Sequence, residues 1–397
     1  MKRGEHFMKA IAIIAEYNPF HEGHAYQIQQ LRKLYPTTTL IAIMSGPFTQ
    51  RGVPSFVDKW TKTKMALAYV DLVIELPYPF ATGAADTFAK GGVSLAAALG
   101  AEALSFGSEE GTVHACENYA SLWKQHEKTI LQEAQQKKRS SYIQSLYQAA
   151  ENLIGPPPFD YEQPNNILAF AYAKANVTHQ LTLLTHRRVG AHYHDTSGNK
   201  KLASASGIRS YIQKTGNIPS HLPERTTQLL SNYNGHWGSM DLLYPFLRAE
   251  LLRTPPEQLL TFFEMTEGME RRFIQGARVA HHFSDWLQQV QTKHWTNARI
   301  QRAASHIVTH FTKGEYDMLT TPTYIRLLGA TPRGKTYLKN EQQSFSLPVV
   351  YSPKQKPDDL LMQIDVRAQN MYTFFTNTQG NRRTIQRDYA EPPIFLS

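Results

Sequence analysis

The sequence predicts an α/β protein: a doubly wound parallel sheet in the first half, followed by a mainly α-helical, basic region. Three features predict this. Short runs that are apolar throughout alternate with amphipathic stretches from Met8 to about residue 200, the pattern of a parallel sheet covered by helices on both faces. Gly and Pro cluster over residues 216–223, a boundary signal. Beyond that cluster the periodicity is mostly helical and most of the net charge is found. The chain is accordingly divided into residues 8–216 and 217–397.

Residues 9–15 (KAIAIIA), 39–44 (TLIAIM), 71–76 (DLVIEL) and 101–106 (AEALSF) read as buried strands, with helices expected over 24–34, 58–69 and 85–99 between them. In such an open sheet a ligand sits at the carboxyl ends of the strands, near the point where strand order reverses. A polar helical region follows over 115–151, and its basic run at Lys137, Lys138 and Arg139 reads as a solvated face. The turn at Pro156, Pro157 and Pro158 leads to a helix beginning near Pro164. The strand 180–185 (QLTLLT) rejoins the sheet, and a short helix starts near Ser204. Past the boundary, helices are expected over 241–252, 257–264, 270–290, 297–311 and 358–376, with shorter elements at 323–328 and 347–351.

With 41% hydrophobic and 19% charged residues, the 397-residue chain has the composition of a folded globular protein. Its single cysteine, Cys116, excludes an internal disulfide framework or a Cys-rich zinc site, which fits a reducing cytoplasm. The first apolar run stops at Glu16, far short of the ~20 residues that span a bilayer. A cytoplasmic protein with no membrane partner is therefore expected. The net charge of +9 is unevenly spread: residues 1–200 carry 19 basic and 17 acidic side chains, residues 201–397 carry 23 and 16. An excess of this kind suits a polyanion such as nucleic acid.

The most informative segment is Glu16-Tyr17-Asn18-Pro19-Phe20-His21-Glu22-Gly23-His24, directly after the first strand and opening the first helix. A helix N-terminus offers unpaired N–H groups and partial positive charge to a phosphate. Two imidazoles three residues apart can donate to the same triphosphate, and Gly23 permits close approach to the backbone. At Ser204-Ala205-Ser206-Gly207-Ile208-Arg209 a second helix start carries hydroxyls and a guanidinium; by themselves Ser204 reads as an ordinary N-cap and Arg209 as a surface charge. Gln50, Arg51, Asp58 and Lys59 are candidates for a second subsite, near a small acid substrate. For RNA phosphates the candidates are Arg271, Arg272, Arg278, Lys293, Arg299, Arg302, Arg326, Arg333, Lys335 and Lys339, with Trp295 and Tyr324 interleaved.

The His-x-Gly-His element resembles the signature of the nucleotidyltransferase superfamily, which includes class I aminoacyl-tRNA synthetases and pantothenate synthetase. Ser204 to Arg209 resembles that superfamily's Ser/Thr-rich turn ending in Ile-Arg, which implies that Ser204, Ser206 and Arg209 serve the β- and γ-phosphates. A longer ordered set of blocks resembles the bacterial tRNA(Met) cytidine acetate ligase family over nearly the whole chain from Met8. After residues 16–24 these are 45–52 (SGPFTQRG), Asp58-Lys59, 71–77 (DLVIELP), 106–109 (FGSE), 164–168 (PNNIL) and 188–195. The set continues through 297–302 (NARIQR) and 324–329 (YIRLLG). Glu22 stands where the family often has Asn, and Ser206-Gly207 where Thr-Ala is more usual.

The resemblance implies a nucleotidyltransferase domain that activates acetate with ATP to acetyl-adenylate. The acetyl group then passes to N4 of the wobble cytidine of elongator tRNA(Met), with no acetyl-CoA. It implies ATP contacts from Ile14, Ala15, Glu16, Tyr17, Asn18, Pro19, Phe20, His21, Glu22, Gly23, His24, Ala25, Tyr26 and Gln27, and from Gly107, Asn165 and Arg188, with His21 and His24 catalytic. Mg2+ is expected to accompany ATP, although no carboxylate cluster reads as its site. Two other readings stay open. One is a small-molecule carboxylate–amine ligase or adenylyltransferase; the other is an RNA-binding protein that keeps the nucleotide fold without catalysis.

Overall fold

In the computed structural model, residues 8–108, 113–136, 142–161, 163–187, 204–377 and 386–397 are described. The chain opens with β1 (Ala10–Ala15), α1 (Glu22–Leu34), β2 (Thr39–Ser45), α2 (Lys59–Ala66) and β3 (Leu72–Leu76). It continues through α3 (Tyr78–Ala81), α4 (Ala85–Ala98), β4 (Ala103–Ser108), α5 (His114–Gln136), α6 (Tyr142–Ile154), α7 (Pro164–Asn176) and β5 (Thr182–Arg187). Helices α8 (Ala205–Thr215), α9 (Glu224–Ser231), α10 (Met240–Arg253), α11 (Pro256–Leu259), α12 (Met269–Val279), α13 (Phe283–Val290), α14 (Asn297–Thr309) and α15 (Lys313–Met318) follow. The last elements are β6 (Ile325–Ala330), α16 (Pro332–Glu341), β7 (Val349–Val350), α17 (Leu360–Thr376), α18 (Arg387–Ala390) and β8 (Ile394–Phe395).

The strand order is β5-β4-β1-β2-β3-β6-β7, with β8 also paired to β6. The first five strands run parallel. Order reverses between β1 and β4, so the doubly wound arrangement read from the apolar runs is present and its crevice opens beyond Ala15 and Ser108. The reason is composition: β1, β2 and β3 are buried almost throughout, and alternate residues feed two cores. Ile41, Ile43 and Ile74 pack under α4, while Leu40, Ala42 and Val73 pack under α1 and α2.

Several boundaries differ from the sequence expectation for local reasons. Strand β5 begins at Thr182 rather than 180, because Gln180 takes a left-handed φ of 57° and Leu181 N–H donates to the Asn176 side chain, extending the turn after α7. The single helix expected over 270–290 breaks at Ala280, whose backbone is extended, giving α12 and α13. The elements expected at 323–328 and 347–351 are strands. β6 lies antiparallel to β3, and β7 and β8 lie beside β6.

Helix α8 ends at Gly216, yet residues on both sides of 216/217 share one sheet. They also share a core. Phe48 and Tyr78 from the sheet side pack with Leu243, Tyr244, Phe273, Trp286, Ile307 and Tyr372 from the later helices. The loop after β2 is thereby clamped between the sheet and the helical region.

Candidate active site

The turn after β1 is built by buried residues. Tyr17 adopts a left-handed φ of 46°, and its ring packs edge-on against Phe20 and His24, each at 4.9 Å. Asn18, also buried, accepts the Phe56 N–H on Oδ1 at 2.6 Å, and its carbonyl accepts Arg209 Nη1 at 2.7 Å. One asparagine therefore holds the turn to the loop after β2 on one side and to α8 on the other.

His21 is the N-cap of α1 and His24 its third residue, and the pair forms a reciprocal cap. Gly23 N–H donates to His21 Nδ1 at 3.1 Å, and His21 N–H donates to His24 Nδ1 at 3.2 Å. The rings stack at 3.7 Å. An imidazole whose Nδ1 accepts carries its proton on Nε2 when neutral, so both histidines are set as Nε2–H donors at a helix N-terminus. A Cβ on Gly23 would lie 3.0 Å from the His21 ring, so a side chain there would press on the cap.

The remaining expected positions fall into groups. Ile14, Tyr17, Phe20 and Ala25 turn their side chains into the cores, so those side chains are not presented to a nucleotide. Ala15, Glu16, Glu22, Gly23, His24, Tyr26 and Gln27 keep accessible surface, whereas Pro19 is buried. Gly107 lies three residues beyond the last β1–β4 pair, Ala12 with Leu104, just as Ala15 does. Asn165 follows Pro164 in the first turn of α7; the N-cap is Gln163, so capping does not explain the asparagine. Arg188 lies outside the described residues.

Ser204 caps α8 by accepting Gly207 N–H at 3.1 Å and lies 3.1 Å from the Ser206 hydroxyl, both serines being exposed. Arg209, one turn on, brings this helix start to the nucleotide turn. Burial lowers the pKa of its guanidinium, Glu16 opposes that shift and Arg51 adds to it. Gln50 completes the contact: its N–H donates to Glu16 Oε1 at 2.8 Å and its side-chain amide to the Gly83 carbonyl at 3.0 Å.

Asp58 and Lys59, expected near a small acid substrate, belong to the interior instead. Asp58 caps α2 by accepting Thr61 N–H and pairs with Arg387 at 3.4 Å. Lys59 is 1% exposed and pairs with Glu75 at 2.8 Å and Asp388 at 2.6 Å. Burial alone would favour the neutral amine, but Asp388 and Glu75 outweigh it and raise the Lys59 pKa. The basic candidates for RNA divide similarly. Arg326, 3% exposed, lies inside the sheet beside Asp388, and Arg302 is buried against Glu264 at 2.6 Å, so both are corrected to structural ion pairs. Tyr324 is buried with its hydroxyl on Asp365. Arg299 is half-buried and donates to the Glu264 carbonyl at 3.3 Å. Arg271, Arg272, Arg278 and Lys293 are exposed around α12, although Arg272 also donates to the Val290 carbonyl at 2.9 Å.

One buried group was passed over in the sequence. Lys62, one turn after Lys59, is 0% exposed and faces the strand ends behind the nucleotide turn. Its only sequence signal is the i, i+3 spacing from Lys59 on a helix whose Met65 and Ala66 are also buried.

An imidazole-capped helix directly after β1, at the strand-order reversal of a doubly wound sheet, defines an ATP-handling enzyme of the nucleotidyltransferase class. The sequence profile of the HIGH nucleotidyl transferase family matches residues 8–388. A tRNA(Met) cytidine acetate ligase of Lysinibacillus sphaericus is 38% identical, the match covering 98% of this chain and all of that protein. One of Halalkalibacterium halodurans is 37% identical over 98% of this chain and 97% of its own. The crystal structure of Thermotoga maritima TmcAL bound with alpha-thio ATP superposes with a TM-score of 0.85 at 28% identity, covering 98% of this chain and 100% of that one. The chain belongs to the HIGH nucleotidyl transferase family and, within it, to the tRNA(Met) cytidine acetate ligases.

Proposed function

We propose that the protein joins acetate to the wobble cytidine of elongator tRNA(Met) at the expense of ATP. An acetate oxygen attacks the α-phosphorus, forming acetyl-adenylate and releasing pyrophosphate. The exocyclic N4 of the cytidine then attacks the acetyl carbon, N4 loses a proton, and AMP leaves with the carboxylate oxygen. Acetyl-CoA has no part in this balance. The observation that carries the reading is the reciprocal imidazole cap: both Nδ1 atoms accept backbone N–H groups, which makes each neutral ring an Nε2–H donor at a helix start, the kind of group that stabilises charge developing in displacement at phosphorus.

On this reading the nucleotide lies over residues 14–27, Gly107, Asn165 and Arg188, with Ser204, Ser206 and Arg209 on the outer phosphates. Acetate is ionised at neutral pH, so the histidines stabilise charge and take no proton from it. The described residues hold no group of three His, Cys, Asp or Glu that could hold a metal ion. On this reading Mg2+ travels with the triphosphate. The exposed arginines of α12, Arg271, Arg272 and Arg278, are assigned to RNA phosphates, which puts the RNA face within 217–397. The substrate places the protein in the cytoplasm; among the described residues, no helix is long and apolar enough to cross a membrane.

The test is incubation with ATP, labelled acetate and either elongator or initiator tRNA(Met). Label in the elongator species alone is expected. A requirement for acetyl-CoA, or label on a small amine without RNA, would overturn the reading.

A further inference from the structure

Lys62 presents its ammonium to four oxygens drawn from three segments. These are the Ser45 carbonyl at 2.6 Å and the Gly46 carbonyl at 3.0 Å at the end of β2, the Ser55 hydroxyl at 2.9 Å, and the Glu16 carbonyl at 3.2 Å. Ser55 is the return of the loop that carries Gln50 and Arg51, and Glu16 begins the nucleotide turn. The same loop is fixed on its outer side by α14. Ser305 donates to the Gly52 carbonyl at 2.5 Å, and Gly52, at φ +81°, leaves no room for a Cβ against the Arg302 backbone. Lys62 is thus the inner anchor of a loop whose outer anchor is the helical region.

We infer that Lys62 is a positioning residue for nucleotide binding: its ammonium ties the ends of β1 and β2 and the 46–55 loop to one point, and its charge lies beneath the phosphates. The inference rests on the reading that residues 16–24 bind ATP.

An ammonium has three N–H groups and a full charge for these oxygens; the neutral amine has two and no charge. Protonation therefore decides how well the anchor holds. Burial lowers the Lys62 pKa to about 7; Glu16, Glu75 and Asp58 favour the charged form and Lys59 disfavours it. A polyanion bound above it favours the ammonium, so nucleotide binding should draw in a proton just above neutrality. Apparent ATP affinity then weakens as pH rises through about 7. Stability responds in the opposite sense. The unfolded lysine titrates at about 10.4, so between about 7 and 10 the unfolded state binds more protons and this group's contribution to stability rises with pH. Loss of ATP binding across that window is therefore not unfolding.

The experiment is calorimetry of ATP binding to the full chain at pH 7.5 in HEPES and in Tris, whose ionisation heats differ, together with ATP affinity from pH 6.5 to 8.5. Neither acetate nor tRNA is needed. The wild type is expected to take up a fraction of a proton and to lose up to about tenfold in affinity, the equivalent of a one-unit pKa shift. Lys62→Arg, permanently charged, should bind ATP with a flatter profile and less uptake. Other groups near the turn are common to both proteins, so the difference between the two is the readout. Ser55→Ala keeps the lysine and removes one oxygen, so the midpoint should move to lower pH.

Equal proton uptake in wild type and Lys62→Arg, an unmoved midpoint in Ser55→Ala, or no ATP binding by the wild type would each overturn the inference. Proton-linked ATP binding without acetyl transfer to tRNA would uphold Lys62 and overturn the acetate reading.

Discussion

The carboxyl ends of the sheet strands and the face around α12 both carry dense charge, but they use it differently. At the strand ends, Lys59, Glu75 and Asp388 are buried and paired with one another, and Arg209 donates to a carbonyl of the nucleotide turn. Around α12, Arg271, Arg272 and Arg278 stand in solvent, and the Arg271 side chain is 82% exposed with a carboxylate no nearer than 3.8 Å. A paired, desolvated charge fixes geometry; a solvated one is available to a partner. The difference makes opposite predictions for stability and for binding.

The largest expected effect comes from breaking the buried cluster. Lys59→Met leaves Glu75 buried without its cation and Asp388 with Arg326 alone, and loss of one member of a buried ion pair costs about 3–5 kcal/mol. Urea unfolding should report a loss of that order. A cost no larger than that of an exposed arginine would break the contrast between the two regions.

Next is the imidazole cap. His24→Ala removes the acceptor that satisfies His21 N–H and, on the proposed reading, one donor to the charge that develops at phosphorus. Acetyl-adenylate formation should fall by about 100- to 1,000-fold, the range for deleting one preorganised donor. Affinity for tRNA, measured by filter binding, should stay within about twofold if the RNA face is the one proposed around α12. Equal losses in both would make the histidine a fold residue.

What the sequence made legible follows the same division. The strands were readable because β1 to β4 are predominantly apolar, and the cap at Ser204 because a serine opens an amphipathic stretch. His21 and His24 lie three residues apart, so their meeting at one helix start was readable from spacing. Arg302 and Arg326 could not be told from Arg271, because their partners, Glu264 and Asp388, lie 38 and 62 residues away in sequence. Strand β6 shows the same limit: its apolar run is visible, but antiparallel pairing to β3 is a tertiary choice. Lys62 looks like any helical lysine until three distant segments close over it.

A smaller effect tests where the two regions meet. His306 in α14 is fully buried with Nδ1 2.9 Å from the Tyr78 hydroxyl, joining the helical core to the sheet side. Burial and then Arg302 hold its pKa well below the usual histidine value. Below pH 6.5 the unfolded state therefore binds a proton that the folded state refuses, and stability falls as pH drops, by up to about 1.4 kcal/mol per unit from this group. Comparing urea midpoints at pH 7.5 and 5.5 for wild type and His306→Gln checks this. An equal pH slope in both proteins would assign the loss to other groups.

The smallest effect on the fold belongs to the exposed arginines, and there the contrast is sharpest. Arg271→Ala and Arg278→Ala together remove two solvated charges, and surface changes of this kind usually stay within about 0.5 kcal/mol each. If α12 meets RNA phosphates, each contact released should lower the slope of log affinity against log salt by about 0.9 for a duplex, or about 0.7 for a single strand. The double variant should thus bind elongator tRNA less tightly at low salt, with a slope shallower by roughly 1.4 to 1.8. Acetyl-adenylate formation without tRNA should be unchanged, because neither residue approaches the strand ends. An unchanged salt slope would remove α12 from the RNA face while leaving the ATP site as described. A fall in adenylate formation would mean that the two regions are coupled in the free protein, the 46–55 loop being the segment that touches both.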